Sequence, residues 1–86
     1  MHTTSEAIQM REKRFGYFPQ RFRWRGHDYV VSRIERCWTV KTRRWGGKVE
    51  RLCFRVHCRD GVYDVFQDLL GNTWHIRDAN SGTFRR

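Results

Sequence analysis

The chain is poor in cysteine, in lysine and in acid, and it holds no long apolar run; each shortage excludes something. Three cysteines, Cys37, Cys53 and Cys58, among 86 residues are an odd and sparse set for a disulfide-stapled secreted scaffold. Free thiols in a reducing cytoplasm are the simpler expectation. No stretch approaches the ~20 consecutive apolar residues of a spanning helix, and Met1–Met10 lacks the apolar core of a signal peptide. The chain is therefore expected to be cytoplasmic, with no membrane partner.

Acid is outnumbered two to one: nine Asp and Glu stand against eighteen Lys and Arg, a formal charge of +9 and an isoelectric point near 10.5. Three of the eighteen are Lys and fifteen are Arg. Arginine presents a planar donor fork to phosphates and a flat face to bases and aromatic rings. So basic a domain meets the first criterion for a nucleic-acid binder, although basic surfaces also attract acidic proteins.

What the chain has in quantity is aromatic: four Trp, six Phe and three Tyr, 15% of the residues. A single domain of this size buries only about 60% of its unfolded surface, and each buried ring removes roughly 150–250 Å² from water. The rings thus make a small core adequate, and Trp38 and Trp45 are expected to belong to it. One domain over residues 1–86 follows, with loose polar ends at 1–5 and 79–86.

Period-two patterning dominates. Ile8–Lys13 reads as a strand, with a short capped helix from Ser5 as the alternative. Gln20–Trp24 alternates Phe22 and Trp24 against Arg21 and Arg23. Arg25-Gly26 supplies a tight turn into a strand over His27–Arg36, whose apolar phase changes near Ser32 and implies burial on both faces or a bulge. After the cationic, aromatic Trp38–Trp45 segment, Gly46-Gly47 marks a loop or hairpin. Val49–Arg59 is the clearest element: Leu52, Phe54, Val56 and Cys58 share one face, and Arg51, Cys53, Arg55, His57 and Arg59 the other. Asp60-Gly61 is a strong hairpin signal leading into Val62–Gln67. A turn at Leu69–Asn72 precedes the last strand, Thr73–Arg77, with Trp74 and Ile76 inward. About six short antiparallel strands in so small a chain are expected to curl into a barrel or a strongly bent sheet, which covers their edges.

No catalytic or metal-binding constellation emerges. Cys37, Cys53, His57 and Cys58 are zinc-type residues, but no C-x2-C pair exists, and Cys53 and Cys58 fall on opposite faces of one strand. Cys53 and His57 stand about 13 Å apart by strand rise, too far for a nucleophile and its base. No paired carboxylates and no Gly-rich phosphate loop occur. The expectation is a non-enzymatic domain with no cofactor, no catalytic residues and no metal. The basic face remains. Arg51, Arg55 and Arg59 recur every four residues, about 13 Å apart, with Arg21, Arg23 and His57 as expected neighbours. Arg33, Arg36, Lys41, Arg43 and Arg44 follow, interleaved with Trp38 and Trp45. Guanidinium groups beside rings on a sheet are a common grip for single-stranded nucleic acid; the plainer reading is the solvated side of an amphipathic sheet.

The run Pro19-x-x-Phe22-x-Trp24-Arg25-Gly26-x-x-Tyr29-x-Val31 resembles the opening motif of a small bacterial domain family of unknown function. Trp38, Trp45, Phe54-Arg55-Val56, Tyr63-x-Val65-Phe66 and Trp74-x-Ile76 fall at its aromatic and strand positions. The chain departs from that pattern at Cys37 and Cys53 and in the shortened hairpin at Asp60-Gly61. Members of the family stand alone or follow proteins similar to Y-family DNA polymerases, which implies an accessory role in DNA repair. It implies no particular site residues. The expectations are thus binding to DNA or RNA through Arg51, Arg55, Arg59, Arg21, Arg23 and His57, with docking of an acidic protein or self-association as the alternative.

Overall fold

Every regular element in the computed structural model, which describes residues 5–41 and 49–77, is a strand: β1 (Glu6–Arg14), β2 (Phe18–Trp24), β3 (His27–Lys41), β4 (Val49–Cys58), β5 (Gly61–Asp68) and β6 (Thr73–Arg77). Each pairs antiparallel with the next, and β1 returns to β6 to close a barrel in chain order. The expected six-stranded barrel is what forms. The helix alternative at the N-terminus is not: Glu6–Ile8 pair with Ile76–Trp74, so β1 satisfies the edge that β6 would otherwise leave open. Ser5 is exposed and outside any element. The rest of the two expected loose ends, Trp45 and the Gly46-Gly47 turn lie outside the described residues.

Alternation builds the core. Phe22, Phe54, Val56 and Val65 are fully enclosed, and Ile8, Tyr63, Trp74 and Ile76 complete the buried cluster. Phe22 stacks on Tyr29 at 5.3 Å between centroids, and Phe54 stacks on Trp74 at 6.0 Å. Such ring pairs contribute about 0.5–1.5 kcal/mol each beyond their burial.

β3 explains the barrel's asymmetry. It pairs with β2 only over His27–Val30 and takes β4 as partner from Val31 onward. The register slips between Val31 and Arg33, which is the bulge implied by the phase change near Ser32. It lets Val31 and Ile34 both pack on the core while Val30 stays 59% exposed. β3 also runs past the expected Arg36 to Lys41, because β4 offers a ladder partner that far. Arg59-Asp60 form the loop of the β4–β5 hairpin, and Gly61 opens β5 opposite Cys58, so Arg59 is a turn residue rather than the last of a strand.

Candidate functional site

The outer face of β3–β6 is solvated along β3 but covered at its centre. Two lines of residues cross it in register: Trp38, Cys53, Phe66 and His75, and beside them Arg36, Arg55, Asp64 and Arg77. Cys53 is 4% exposed, Phe66 5% and Asp64 7%. Alternation fixes which way a side chain points but not what lies over it, and long arginine stems cover rings readily. The Arg51 guanidinium lies 4.7 Å from the Phe66 centroid, with its Nε out of contact with solvent and without a hydrogen-bond partner. Phe66 in turn stacks on His75 at 5.1 Å. Trp38, expected in the core, sits half-buried on this outer face instead, with the Arg36 and Arg55 guanidiniums 4.9 and 5.8 Å from its ring. Burial pushes the Cys53 thiol up, and burial followed by the charge of Asp60 pushes Cys58 up to about 11.

The six residues expected to form one basic face are dispersed around the barrel, and most are held by acids. Arg55 clamps Asp64 with two hydrogen bonds, Nε to Oδ1 at 2.8 Å and Nη2 to Oδ2 at 3.2 Å. Arg21 lies 3.0 Å from Glu12 and 3.9 Å from Asp28, and Arg23 lies 3.2 Å from Asp28. His57 Nε2 stands 2.7 Å from Glu35 Oε1 and 3.2 Å from Arg33 Nη2. One nitrogen cannot both donate to Glu35 and accept from Arg33; the shorter contact assigns the proton to the Glu35 bond. That bond is the main cause holding Glu35 below the usual carboxylate range. Arg51 and Arg59 have no carboxylate within 4 Å among the described residues. Arg59 sits at the far turn, beside His27–Val30, away from Arg51.

A fourth charge-balanced group, unforeseen in the sequence, lies where β1 meets the β2–β3 turn. Glu6 accepts from Arg25 Nε at 3.0 Å and again from Arg25 Nη2, and its Oε1 also accepts the Trp24 indole N–H at 3.0 Å. These donors, Arg25 first, hold Glu6 below its ordinary value.

Two arginines without an acid partner stand at a cleft. Where β3 leaves β2 for β4, residues 18–20 and 31–34 splay apart around a cleft of about 280 Å³, walled by Phe18, Pro19, Val31 and Ile34. Pro19 is fully buried there and has no N–H to offer a ladder. Arg14 and Arg33 stand at the cleft with Phe15, and neither has a carboxylate within 4 Å among the described residues. Phe15 is 86% exposed. With φ of 57° at Phe15 and 67° at Gly16, and Tyr17 N–H donating to the Arg14 carbonyl at 3.1 Å, the β1–β2 turn has the type I′ form. That form favours Asn or Asp before Gly, and a bulky residue there carries a strain of about 1–2 kcal/mol. Tyr17 fixes the tip from the other side by edge contacts to Phe18 and Phe54 at 4.8 and 5.5 Å. The sequence did carry a signal, since Phe15-Gly16 is an X-Gly pair between two strand runs.

Among the described residues no group of three or more His, Cys, Asp or Glu is placed to hold a metal ion, and no helix is long and apolar enough to cross a membrane. No curated protein and no solved structure matches the chain. The family model described as "Domain of unknown function (DUF6504)" matches residues 1–82. The chain belongs to that family.

Proposed function

We propose that this is a non-enzymatic domain that binds nucleic acid without sequence preference, through the acid-free arginines of the β1–β2 tip and the β3–β4 hairpin. One observation carries the reading: Arg14, Arg33, Arg36, Lys41 and Arg51 have no carboxylate within 4 Å among the described residues, and the rings of Phe15 and Trp38 lie among them. Backbone charge plus ring faces is the chemistry that grips nucleic acid with little regard to sequence. The original six-residue site is thereby redrawn. Arg51 stays in it; Arg55 and His57 border it, committed to Asp64 and Glu35; Arg21, Arg23 and Arg59 lie outside. An accessory place in DNA repair, which the resemblance implied, would supply such a ligand.

Fluorescence anisotropy with labelled single-stranded DNA, duplex DNA and RNA, titrated from about 50 to 300 mM salt, tests the reading. Four engaged phosphates give a log–log salt slope near −3. The Arg33→Ala/Arg36→Ala/Lys41→Ala variant should flatten that slope by about 2 to 3, roughly one per cation removed. A folded triple variant that binds as the parent does would refute the site.

A second reading rests on the β3 edge. From Ser32 to Lys41 no described strand pairs with the side of β3 that faces away from β4, a geometry that admits an added strand from an acidic protein or another copy. Association that is insensitive to salt, or a concentration-dependent dimer, would favour it.

A further inference from the structure

We propose that the cleft between β2 and β3 takes one unpaired base of a single strand, stacked on Phe15, with the phosphates on either side of that base held by Arg14 and Arg33. This rests on the nucleic-acid reading and adds to it the class of ligand, single strand over duplex, and the residue that selects it.

The combination of strain and exposure at Phe15 points here. A hairpin of this type is served best by asparagine or aspartate before the glycine, yet the position holds a phenylalanine that is 86% exposed. It contributes little to the core, and its backbone sits in the left-handed region at φ 57°. A conformation disfavoured for a bulky residue, at a rigid tip beside a concave wall, belongs with sites where strain supports a function. The tip is rigid because Tyr17 and Phe18 anchor it on Phe54. Binding therefore has to order only the Phe15 side chain and not the turn that carries it, which limits its entropic cost.

Size and charge name the occupant. The cleft, about 280 Å³, lies at the small end of ligand clefts, roughly 300–1,000 Å³, which suits one planar group. Its wall is apolar, through Phe18, Pro19 and Ile34, while its cations are Arg14 and Arg33. A planar ring with an anion on each side is a nucleotide unit within a strand. A duplex keeps its bases stacked inside and offers this cleft only its phosphates, so it gains nothing from Phe15.

The test uses the full chain and three fluorescein-labelled probes: a 12-nucleotide single strand, the matching duplex, and a 12-unit abasic strand of sugar-phosphate alone. Phe15→Asn is the informative variant, because asparagine suits the left-handed turn and the fold should keep or raise its Tm. Stacking on one base is worth about 1–3 kcal/mol, so F15N should weaken single-strand binding by roughly 5- to 150-fold. Duplex and abasic binding, and the salt slopes of all three probes, should stay unchanged. Arg14→Gln/Arg33→Gln should weaken both the normal and the abasic strand. Parent protein that binds none of the probes at about 100 mM salt refutes the nucleic-acid reading itself. Parent that binds, with F15N indistinguishable from it on the single strand, refutes the cleft proposal alone. Equal losses on strand and duplex make Phe15 merely structural. Competition by an acidic, Phe-containing peptide that F15N abolishes, with the single strand unable to compete, assigns the cleft to a protein.

Discussion

Two regions of the barrel carry similar numbers of arginines and treat them differently. Where β1 meets β2 and the start of β3, Arg21, Arg23 and Arg25 face Glu12, Asp28 and Glu6, three cations against three carboxylates at contact distance. Along β3–β4, Arg33, Arg36, Lys41 and Arg51 have no such contact among the described residues, and the nearby Glu35 is taken up by His57. A net charge of +9 is therefore not spread evenly. The arginines of β2 and its turn are electrostatically quiet, whereas β3–β4, like Arg14 at the β1–β2 tip, keeps most of its cations available. Composition establishes how much positive charge there is; the strand register decides where any of it remains free to act.

Arg55 tests that division most severely, because it lies in the free region and is nonetheless bound. Its bidentate partner Asp64 is 7% exposed, so Arg55→Ala would strand a carboxylate away from water. Removing one partner of a buried pair costs about 3–5 kcal/mol. The Arg55 side chain is one-third exposed, which lets water reach the site and places the expected loss near 3 kcal/mol. Urea denaturation should show it, and adding Asp64→Asn should return a good part of it. A loss under about 0.5 kcal/mol would mean an ordinary surface pair, and Arg55 would rejoin the cations available for binding. A loss of affinity in Arg55→Ala, taken without its stability, would be uninterpretable as evidence of contact.

How much of this was legible beforehand depends on what each feature rests on. The strand over Val49–Arg59 was plain because Leu52, Phe54 and Val56 obey a period of two that nothing local disturbs, and the bulge at Ser32 showed as a slip in that same period. The inward Trp74 and Ile76 followed likewise. The partners of the arginines were not legible. Arg21 finds Glu12 nine residues away and Arg25 finds Glu6 nineteen away, across a β1–β2 register broken by irregularities between Met10 and Lys13. Trp38 was misplaced for a related reason: a second register slip, between Ile34 and Arg36, changes the phase of β3 again and turns the ring outward. The cleft depends on where β3 exchanges β2 for β4, a property of the closed barrel that no single strand's pattern contains.

Acid should erode the carboxylate contacts of both regions. Glu6 is held below its ordinary carboxylate value by Arg25 and Trp24, and Glu35 below its own by His57. Groups with lowered values stabilise the fold fully above the unfolded value, about 4.5, and lose that contribution as pH falls through the lowered one. Stability measured at constant salt should therefore be level from neutrality down to about pH 4.5 as far as these groups determine it, and decline below. Glu6→Gln should start lower at pH 7 and decline less on acidification. An unchanged profile in that variant would remove Glu6 from the account. The same protonation releases Arg25, so nucleic-acid affinity should rise on the side that is quiet at neutral pH, and the selectivity between the two regions should shrink.

The smallest effects are expected where the neutralised arginines are simply deleted. Arg21 and Arg23 have side chains 38% and 40% exposed, against partners 44–50% exposed, and exposed pairs of this kind contribute about 0–1 kcal/mol. Arg21→Ala/Arg23→Ala should thus change stability by less than about 1 kcal/mol in total. Its consequence for binding is the sharper measure. If the division between the regions holds, the double variant lowers affinity for a labelled single strand by no more than about threefold and leaves the salt slope within about 0.5 of the parent. Removing two cations from the free region instead should flatten it by about 2. Two equal slopes would mean that the ligand displaces Glu12 and Asp28 and draws on every arginine alike, and the barrel would then have one continuous basic surface, its apparent quiet side existing only in the absence of ligand.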